Sequence, residues 1–167
     1  LLKDIKEIND AITNLECPLT SNSFSINKTG PPLKGKPKAV DLLIDAGFHL
    51  VTLANNHIMD YGEKGLLDTL NVLTENSIKY VGAGKKNDSI GICQLEREGI
   101  KVAVVNVCEN EWSTQLFGQH HAYGVNPVDN FNLIRKAKAK ADKVIVIHHG
   151  GHEMYELPSP RMKNLFR

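Results

Sequence analysis

Residues 49–62 read HLVTLANNHIMDYG and contain the transition that decides the fold. Leu50, Val51 and Leu53 lie in a short apolar run that is typical of a buried β-strand. Two amides, an imidazole and a carboxylate follow within six positions, and leucines at three- and four-residue spacing then predict a helix over 63–75. This order predicts a layered α/β domain with a ligand site at the edge of a sheet.

The rest of the chain repeats this alternation of short strands and amphipathic helices. Two segments are predicted loops: 20–36, rich in Ser, Asn, Lys, Gly and Pro, which could reach over a site, and 109–127, which should lie near it. The remaining strands are predicted at 11–15, 78–81, 90–95, 101–107 and 143–147, and the remaining helices from Pro37 to about Gly47, from about Phe131 to Ala141, and after Pro158.

Composition indicates a single domain over 1–167 without a strong overall charge. The chain has 167 residues, of which 41% are hydrophobic, enough for a core of ordinary size. Lys and Arg number 20 against 19 Asp and Glu, so no overall field favours nucleic acid as a partner, and any anion site must be local. The three cysteines lack the number and spacing of a disulfide framework or a zinc-thiolate site.

The ends of the chain favour an internal portion of a longer protein. The sequence begins without Met, and both ends fall within expected structural elements. No signal segment and no apolar run long enough to span a bilayer is visible in 1–167. We therefore expect any signal or membrane anchor to lie outside this segment.

Three polar clusters each follow an apolar run: 14–16, 54–62 and 148–153. The last one places His148, His149, His152 and Glu153 after four aliphatic residues, with two glycines that allow a sharp turn. Imidazole and carboxylate together suit divalent zinc, manganese or iron. Asn and Asp also favour turns, and a carboxylate after a strand is often only solvated, so a purely structural domain whose clusters face apart is the alternative.

The clusters resemble those of a known family. The strings NLECPL at 14–19, ANNHIMDYG at 54–62, VGAG at 81–84 and HHGGHE at 148–153 occur in the order found in bacterial capsule-synthesis proteins of the CapA type, which are associated with poly-γ-glutamate. That family is similar in fold to the calcineurin-like metallophosphoesterases. The resemblance implies an αββα sandwich of two facing sheets flanked by helices, incomplete at both ends of this chain.

The resemblance also implies roles for individual residues at a two-metal site with Mn, Fe or Zn. Glu16 takes the place of the carboxylate that bridges the two ions, Asn56 that of an amide ligand, and His148 that of an imidazole ligand. His57 would contact the substrate and stabilise its transition state, and Asp60 would orient His57 or brace the loop. We expect the other polar side chains of the clusters to contact the substrate: Asn55, His149, His152 and Glu153.

The same resemblance sets expectations for function and for what lies beyond the chain. The Gly-Asp strand and the Gly-His-His-Pro-His segment that supply the family's first and last metal ligands are not found in 1–167. The implied activity is metal-dependent hydrolysis of a phosphoester or of an amide bond in an anionic glutamate polymer. The alternative is a non-catalytic subunit that grips the polymer beside membrane subunits of a capsule synthase. Either reading implies an extracytoplasmic or membrane-associated protein.

Overall fold

The structure, a computed structural model, describes residues 10–86, 90–115, 118–152 and 154–166. These residues form strands and helices that alternate for most of the chain. In chain order they are β1 (Ala11–Asn14), α1 (Val40–Ala46), β2 (Phe48–Thr52), α2 (Gly62–Glu75), β3 (Lys79–Val81), β4 (Ala83–Lys85), β5 (Ile92–Arg97), β6 (Ile100–Cys108), β7 (His120–Ala122), α3 (Pro127–Lys138), β8 (Lys143–His149) and α4 (Pro160–Leu165).

The strands form two three-stranded sheets and one small ribbon. The first sheet has the order β1-β2-β3 with all strands parallel, because α1 and α2 return the chain to the same end of the sheet. The second sheet has the order β5-β6-β8, with β5 antiparallel and β8 parallel to β6. The ribbon pairs β4 with β7. Strand β8 therefore lies at an edge of the second sheet.

The two sheets pack face to face, and helices cover their outer faces. Side chains alternate along β6, so Val104 packs with Leu50 and Val81 of the first sheet, while Val105 packs with Leu133 of α3 on the opposite face. A third core cluster joins the first sheet to α1 and α2. This arrangement confirms the αββα sandwich of the metallophosphoesterase type.

A buried amide connects the sheets close to the predicted site. Asn106 Oδ1 accepts a hydrogen bond from Ala54 N at 2.8 Å, and Asn106 Nδ2 donates to Ile147 O at 3.1 Å. Gly82 lies against this amide with φ +101°, and a Cβ there would approach Asn106 Oδ1 to 1.9 Å. The VGAG string therefore requires glycine at 82 so that Asn106 can reach Ala54.

Several predicted boundaries differ from those of the structure. The strand β7 lies inside the predicted loop 109–127, and β4 lies partly inside the VGAG string. Both are three residues long, too short for an alternating pattern to stand out. Helix α3 begins at Pro127 rather than near Phe131, because the Asn126 side chain caps it by accepting hydrogen bonds from two backbone amides.

The end of β8 is the difference that matters for function. The last strand was predicted to end at Ile147, which would place His148 just after it. Strand β8 instead continues through His149, and its pairing with β6 extends to Cys108 opposite His149. Both histidines therefore lie within the strand, where successive side chains point to opposite faces of the sheet.

All three cysteines are free thiols, and burial raises the pKa of Cys108 to about 12.

Within the described ranges, no helix combines the length and the apolar character needed to cross a bilayer.

Candidate functional site

The polar clusters meet where parallel strands of both sheets reach their carboxyl ends. Strand β1 leads to Glu16, β2 leads to the loop 55–60, and β8 ends at His149. Ligands of open α/β sheets bind at such edges, because several strands deliver side chains to one place there.

The loop after β2 is folded around the amide of Asn55. Its Oδ1 accepts hydrogen bonds from His57 N at 3.1 Å and Ile58 N at 2.9 Å, and its Nδ2 donates to Leu15 O at 2.9 Å. Asn55 is fully buried, so all these bonds are shielded from water. The amide thus fixes the turn that presents Asn56 and His57. The prediction that Asn55 contacts substrate stays a prediction.

His57 contacts two ionisable side chains that are buried. Its Nδ1 lies 2.7 Å from Asp60 Oδ2, which leaves Nε2 as the ring nitrogen available to a ligand. Lys28, from the predicted loop 20–36, places its Nζ 2.5 Å from Asp60 Oδ1 and 3.1 Å from His57 Nδ1. Asp60 therefore contacts the ring that it was predicted to orient.

Sequence reasoning missed Lys28. A single lysine in a segment rich in polar residues, glycine and proline carries no pattern that separates it from its neighbours. Only the contact with Asp60, 32 positions further along the chain, distinguishes Lys28.

Glu16, Asn56 and His149 form a second group at the same edge. His149 Nε2 lies 3.1 Å from Asn56 Oδ1 and 3.5 Å from Glu16 Oε1. The Glu16 carboxylate also accepts a hydrogen bond from Asn14 Nδ2 at 2.9 Å. The side chains of His149 and Glu16 are both partly accessible to solvent. The structure thus brings together two of the three predicted metal ligands, with His149 beside them.

His148 lies on the opposite face of β8. Its side chain is 4% exposed, its Nε2 has no hydrogen-bond partner among the described residues, and Glu109 Oε1 lies 4.0 Å from this nitrogen. The ring of Phe166 packs edge-on against it, and Arg161 Nη2 donates to Glu109 at 2.8 Å. Burial lowers the pKa of His148 below its ordinary value, while the Glu109 carboxylate acts in the other direction. Its predicted role as a metal ligand stays a prediction.

The last two predicted substrate contacts lie beyond β8. His152 is exposed, and its ring contacts that of Tyr155 edge-on. Glu153 lies outside the described residues. The predictions for both residues stay predictions.

The group formed by Glu16, Asn56 and His149 suits a divalent ion in chemistry and in spacing. It offers a carboxylate oxygen, an amide oxygen and an imidazole nitrogen, a mixture that manganese, iron and zinc accept. Ligand atoms that share one ion at bonds of about 2.0–2.2 Å lie roughly 3 to 3.5 Å apart, close to the two separations observed around His149 Nε2. Within the described part of the chain, no three His, Cys, Asp or Glu residues are grouped for a metal ion, so the amide is an essential part of this set.

The chain also matches the model of a known protein family. The model of the bacterial capsule synthesis protein PGA_cap family matches residues 1–167. The chain belongs to this family. Among PGA_cap relatives, the capsule biosynthesis protein CapA of Bacillus anthracis is 34% identical over 140 residues, which cover 80% of this chain and 34% of that protein. The PGA biosynthesis protein CapA of Bacillus subtilis is 30% identical over 140 residues, covering 81% of this chain and 37% of that protein.

Structural comparison supports the fold of this PGA_cap chain. The NAD nucleotidase of Haemophilus influenzae matches with a TM-score of 0.53 and 21% identity, over 70% of this chain and 25% of that one. The chain spans about a third of the length of the two CapA proteins that it matches. The predicted family and fold are both confirmed.

Proposed function

We propose that this chain forms the part of a capsule-synthesis protein that binds a divalent metal ion and hydrolyses a phosphoester or an amide bond of an anionic glutamate polymer. The observation that carries this proposal is the convergence of Glu16, Asn56 and His149 at the edge that also presents His57. The names of the two CapA relatives, which refer to capsule and PGA biosynthesis, support the polymer as the substrate class.

The metal and the protein side chains contribute in different ways. A divalent ion held by Glu16, Asn56 and an imidazole would act as a Lewis acid toward the bond that is cleaved. His57, with Nδ1 on Asp60, would direct Nε2 at an oxygen of the substrate and stabilise the negative charge that develops there. The buried bonds of Asn55 keep this loop fixed, so little reorganisation accompanies the reaction.

Resemblance and geometry point to different imidazoles for the metal. The family pattern assigns His148, whereas His149 is the histidine in contact with Asn56 and Glu16. Titrating purified protein with Mn²⁺ or Zn²⁺ by calorimetry decides between them. If His149 is the ligand, His149→Ala should weaken binding tenfold or more, as should Glu16→Gln and Asn56→Ala, while His148→Ala should not.

The same titration has informative alternatives. Loss of binding in His148→Ala alone would support the family assignment and a change of the β8 end on metal binding. His152→Ala is the matched control, because His152 is an exposed histidine just beyond the strand and lies outside the group. Absence of metal binding in the wild type would contradict the metal site itself.

A non-catalytic polymer-binding subunit of a capsule synthase is the second candidate. It is favoured by the contact between Asn56 and His149, since the two side chains satisfy each other and, among the residues that the structure describes, one carboxylate converges with them. Hydrolysis of a generic phosphodiester and of poly-γ-glutamate separates the two candidates. The enzyme should lose activity at least a hundredfold in His57→Ala and Asn56→Ala. Polymer binding without turnover in the metal-loaded wild type would favour the subunit.

A further inference from the structure

Lys28 places a positive charge in the protein interior beside the site. Its side chain is 3% exposed, although lysine is almost always solvated and the surrounding segment is rich in polar residues and glycine. Burial of an ammonium group is costly unless the group is paired and hydrogen-bonded. Its partner Asp60 is completely buried, so the pair is shielded from solvent.

The backbone around Lys28 is anchored to the same partner. Ile26 N donates to Asp60 O at 2.9 Å, and Leu33 N donates to Asp60 Oδ2 at 2.7 Å. The loop therefore contacts Asp60 on both sides of Lys28. Because this backbone is fixed at two points, the ammonium group is held in place rather than carried by a freely moving loop.

The hydrogen bonds of Asp60 divide between its two oxygens. Oδ1 lies against the ammonium of Lys28, while Oδ2 faces the Leu33 amide and His57 Nδ1. The additional charge on Oδ1 fixes the plane of the carboxylate, so Oδ2 stays directed at the imidazole. A ring flip of His57 would place a carbon atom against this oxygen and lose the bond.

We propose that Lys28 is a positioning residue of the site: acting through Asp60, its ammonium group holds the His57 ring in the orientation that directs Nε2 to the ligand. This role concerns the same site as the proposed function. It adds Lys28 to the pair formed by His57 and Asp60. The orientation of the ring itself does not depend on whether the protein hydrolyses a substrate.

The same loop supplies a matched control. Lys34 also carries its charge in this loop, where its Nζ donates to Asn22 O at 2.6 Å and lies 4.6 Å from the centre of the Tyr61 ring. Within the described residues, Lys34 forms no hydrogen bond or ion pair with Asp60 or His57. Lys34→Met therefore removes the same charge from the same loop without touching the carboxylate.

Long-range proton–nitrogen NMR of the imidazole rings tests the proposal without reference to activity. Wild type and Lys34→Met should show His57 as one form with the proton on Nδ1. Lys28→Met should show His57 in a mixture of ring forms, because the carboxylate is no longer held. A folded Lys28→Met protein with the His57 signals of the wild type would overturn the proposal and leave Lys28 a purely structural residue.

The variant Asp60→Asn covers the case in which Lys28→Met fails to fold. In Lys28→Met with Asp60→Asn no charge is left without its partner, so this double variant should be more stable than Lys28→Met. Lys28 Nζ also lies 3.1 Å from His57 Nδ1, so a direct effect on the ring has to be separated from an effect through the carboxylate. If Lys28 acts through the carboxylate, the His57 signals of the double variant should match those of Asp60→Asn alone. Different signals would show that Lys28 acts on His57 directly and would contradict the proposal.

Kinetics separates this proposal from the proposed function. If the protein hydrolyses a phosphodiester, Lys28→Met should lower kcat at least tenfold and change KM by less than about twofold, since the ring is misdirected while the remaining contacts stay. An equal fall in Lys34→Met would contradict a specific role for Lys28. If the wild type has no hydrolytic activity, the proposed enzyme fails, and the NMR result still decides the role of Lys28.

Discussion

The loop after β2 and the end of β8 carry the richest polar clusters of the chain, and their side chains are held very differently. In the loop, Asn55 and Asp60 are fully buried and each polar side-chain atom has a partner. At the end of β8, His148 Nε2 lacks a partner among the residues that the structure describes, and His149 is partly open to solvent. The polar side chains of the loop are therefore fixed before a ligand binds. The strand end, in contrast, has imidazole nitrogens that could still bind a ligand.

The position of each element in its sheet explains this difference. Strand β2 is central in the first sheet, and the segment 20–36 covers the loop that follows it. Strand β8 lies at the edge of the second sheet, where Ile145 and Val146 are 45% and 44% exposed. A central strand surrounded by chain fixes its polar groups, while an edge strand leaves its last residues fewer contacts.

Among the substitutions that test this difference between the loop and the strand end, the largest loss of unfolding free energy is expected at Asn55. Asn55→Ala removes the acceptor of two buried amides and the donor to Leu15 O, so unfolding free energy should fall by about 2 to 4 kcal/mol. Urea unfolding measures it. Asn55→Asp keeps an acceptor but places a fully buried carboxylate against Leu15 O, so it should also be destabilising. A loss of under about 0.5 kcal/mol in Asn55→Ala would contradict a preorganised loop.

A smaller, pH-dependent effect is expected at His148. Burial lowers its pKa in the folded protein, so the unfolded chain binds a proton more readily. The contribution of His148 is absent above its ordinary pKa of about 6.5, and stability is lost as the pH falls below that value. In metal-free protein, the fall in Tm between pH 7.5 and 5.5 should therefore be smaller in His148→Leu than in the wild type.

A histidine in the exposed part of the same cluster provides the comparison for that measurement. His152→Leu should show the same fall in Tm as the wild type, because His152 is exposed. If His148→Leu and His152→Leu behave alike, the unpartnered nitrogen of His148 does not affect stability, and the strand end is more tightly held than its contacts indicate.

The fold and half of the site could be predicted from local patterns. The alternation around residues 49–62 predicts the strand, the polar loop and the helix, and the structure has all three. The resemblance of the string at 54–62 to the CapA family implied that Asp60 orients His57 or braces the loop, and the structure has His57 Nδ1 2.7 Å from Asp60 Oδ2. These features depend on residues close in sequence, so a single sequence is enough to predict them.

The rest of the site depends on contacts between distant residues. The role of Lys28 becomes visible only through its contact with Asp60, which lies 32 positions further along the chain. The placement of His148 and His149 on opposite faces depends on where β8 ends, because successive side chains of a strand point to opposite faces of the sheet. The pairing of β8 with β6 sets that end, and it extends two residues further than the apolar run. The hydrophobic pattern ends at its last apolar residue, Ile147, whereas the backbone pairing of the two strands continues to His149.

The smallest expected effect concerns α4, which follows the β8 end. Ser159 caps this helix by accepting a hydrogen bond from Met162 N at 3.2 Å, and none of the six residues 160–165 is buried. Asn126 caps α3 in the same way, but α3 buries Leu133 and Ala137 in the core. The same kind of cap is therefore present on one helix that belongs to the core and one that does not.

Removal of each cap should have different consequences for that reason. Asn126→Ala should lower unfolding free energy by about 1 kcal/mol. Ser159→Ala should lower it by less than about 0.5 kcal/mol, because α4 can open without exposing core residues. Trypsin cleavage at Arg161 and Lys163 should nevertheless become faster in Ser159→Ala while cleavage elsewhere is unchanged. If Ser159→Ala were as destabilising as Asn126→Ala, α4 would unfold together with the core, and the β8 end would be as firmly built as the loop after β2.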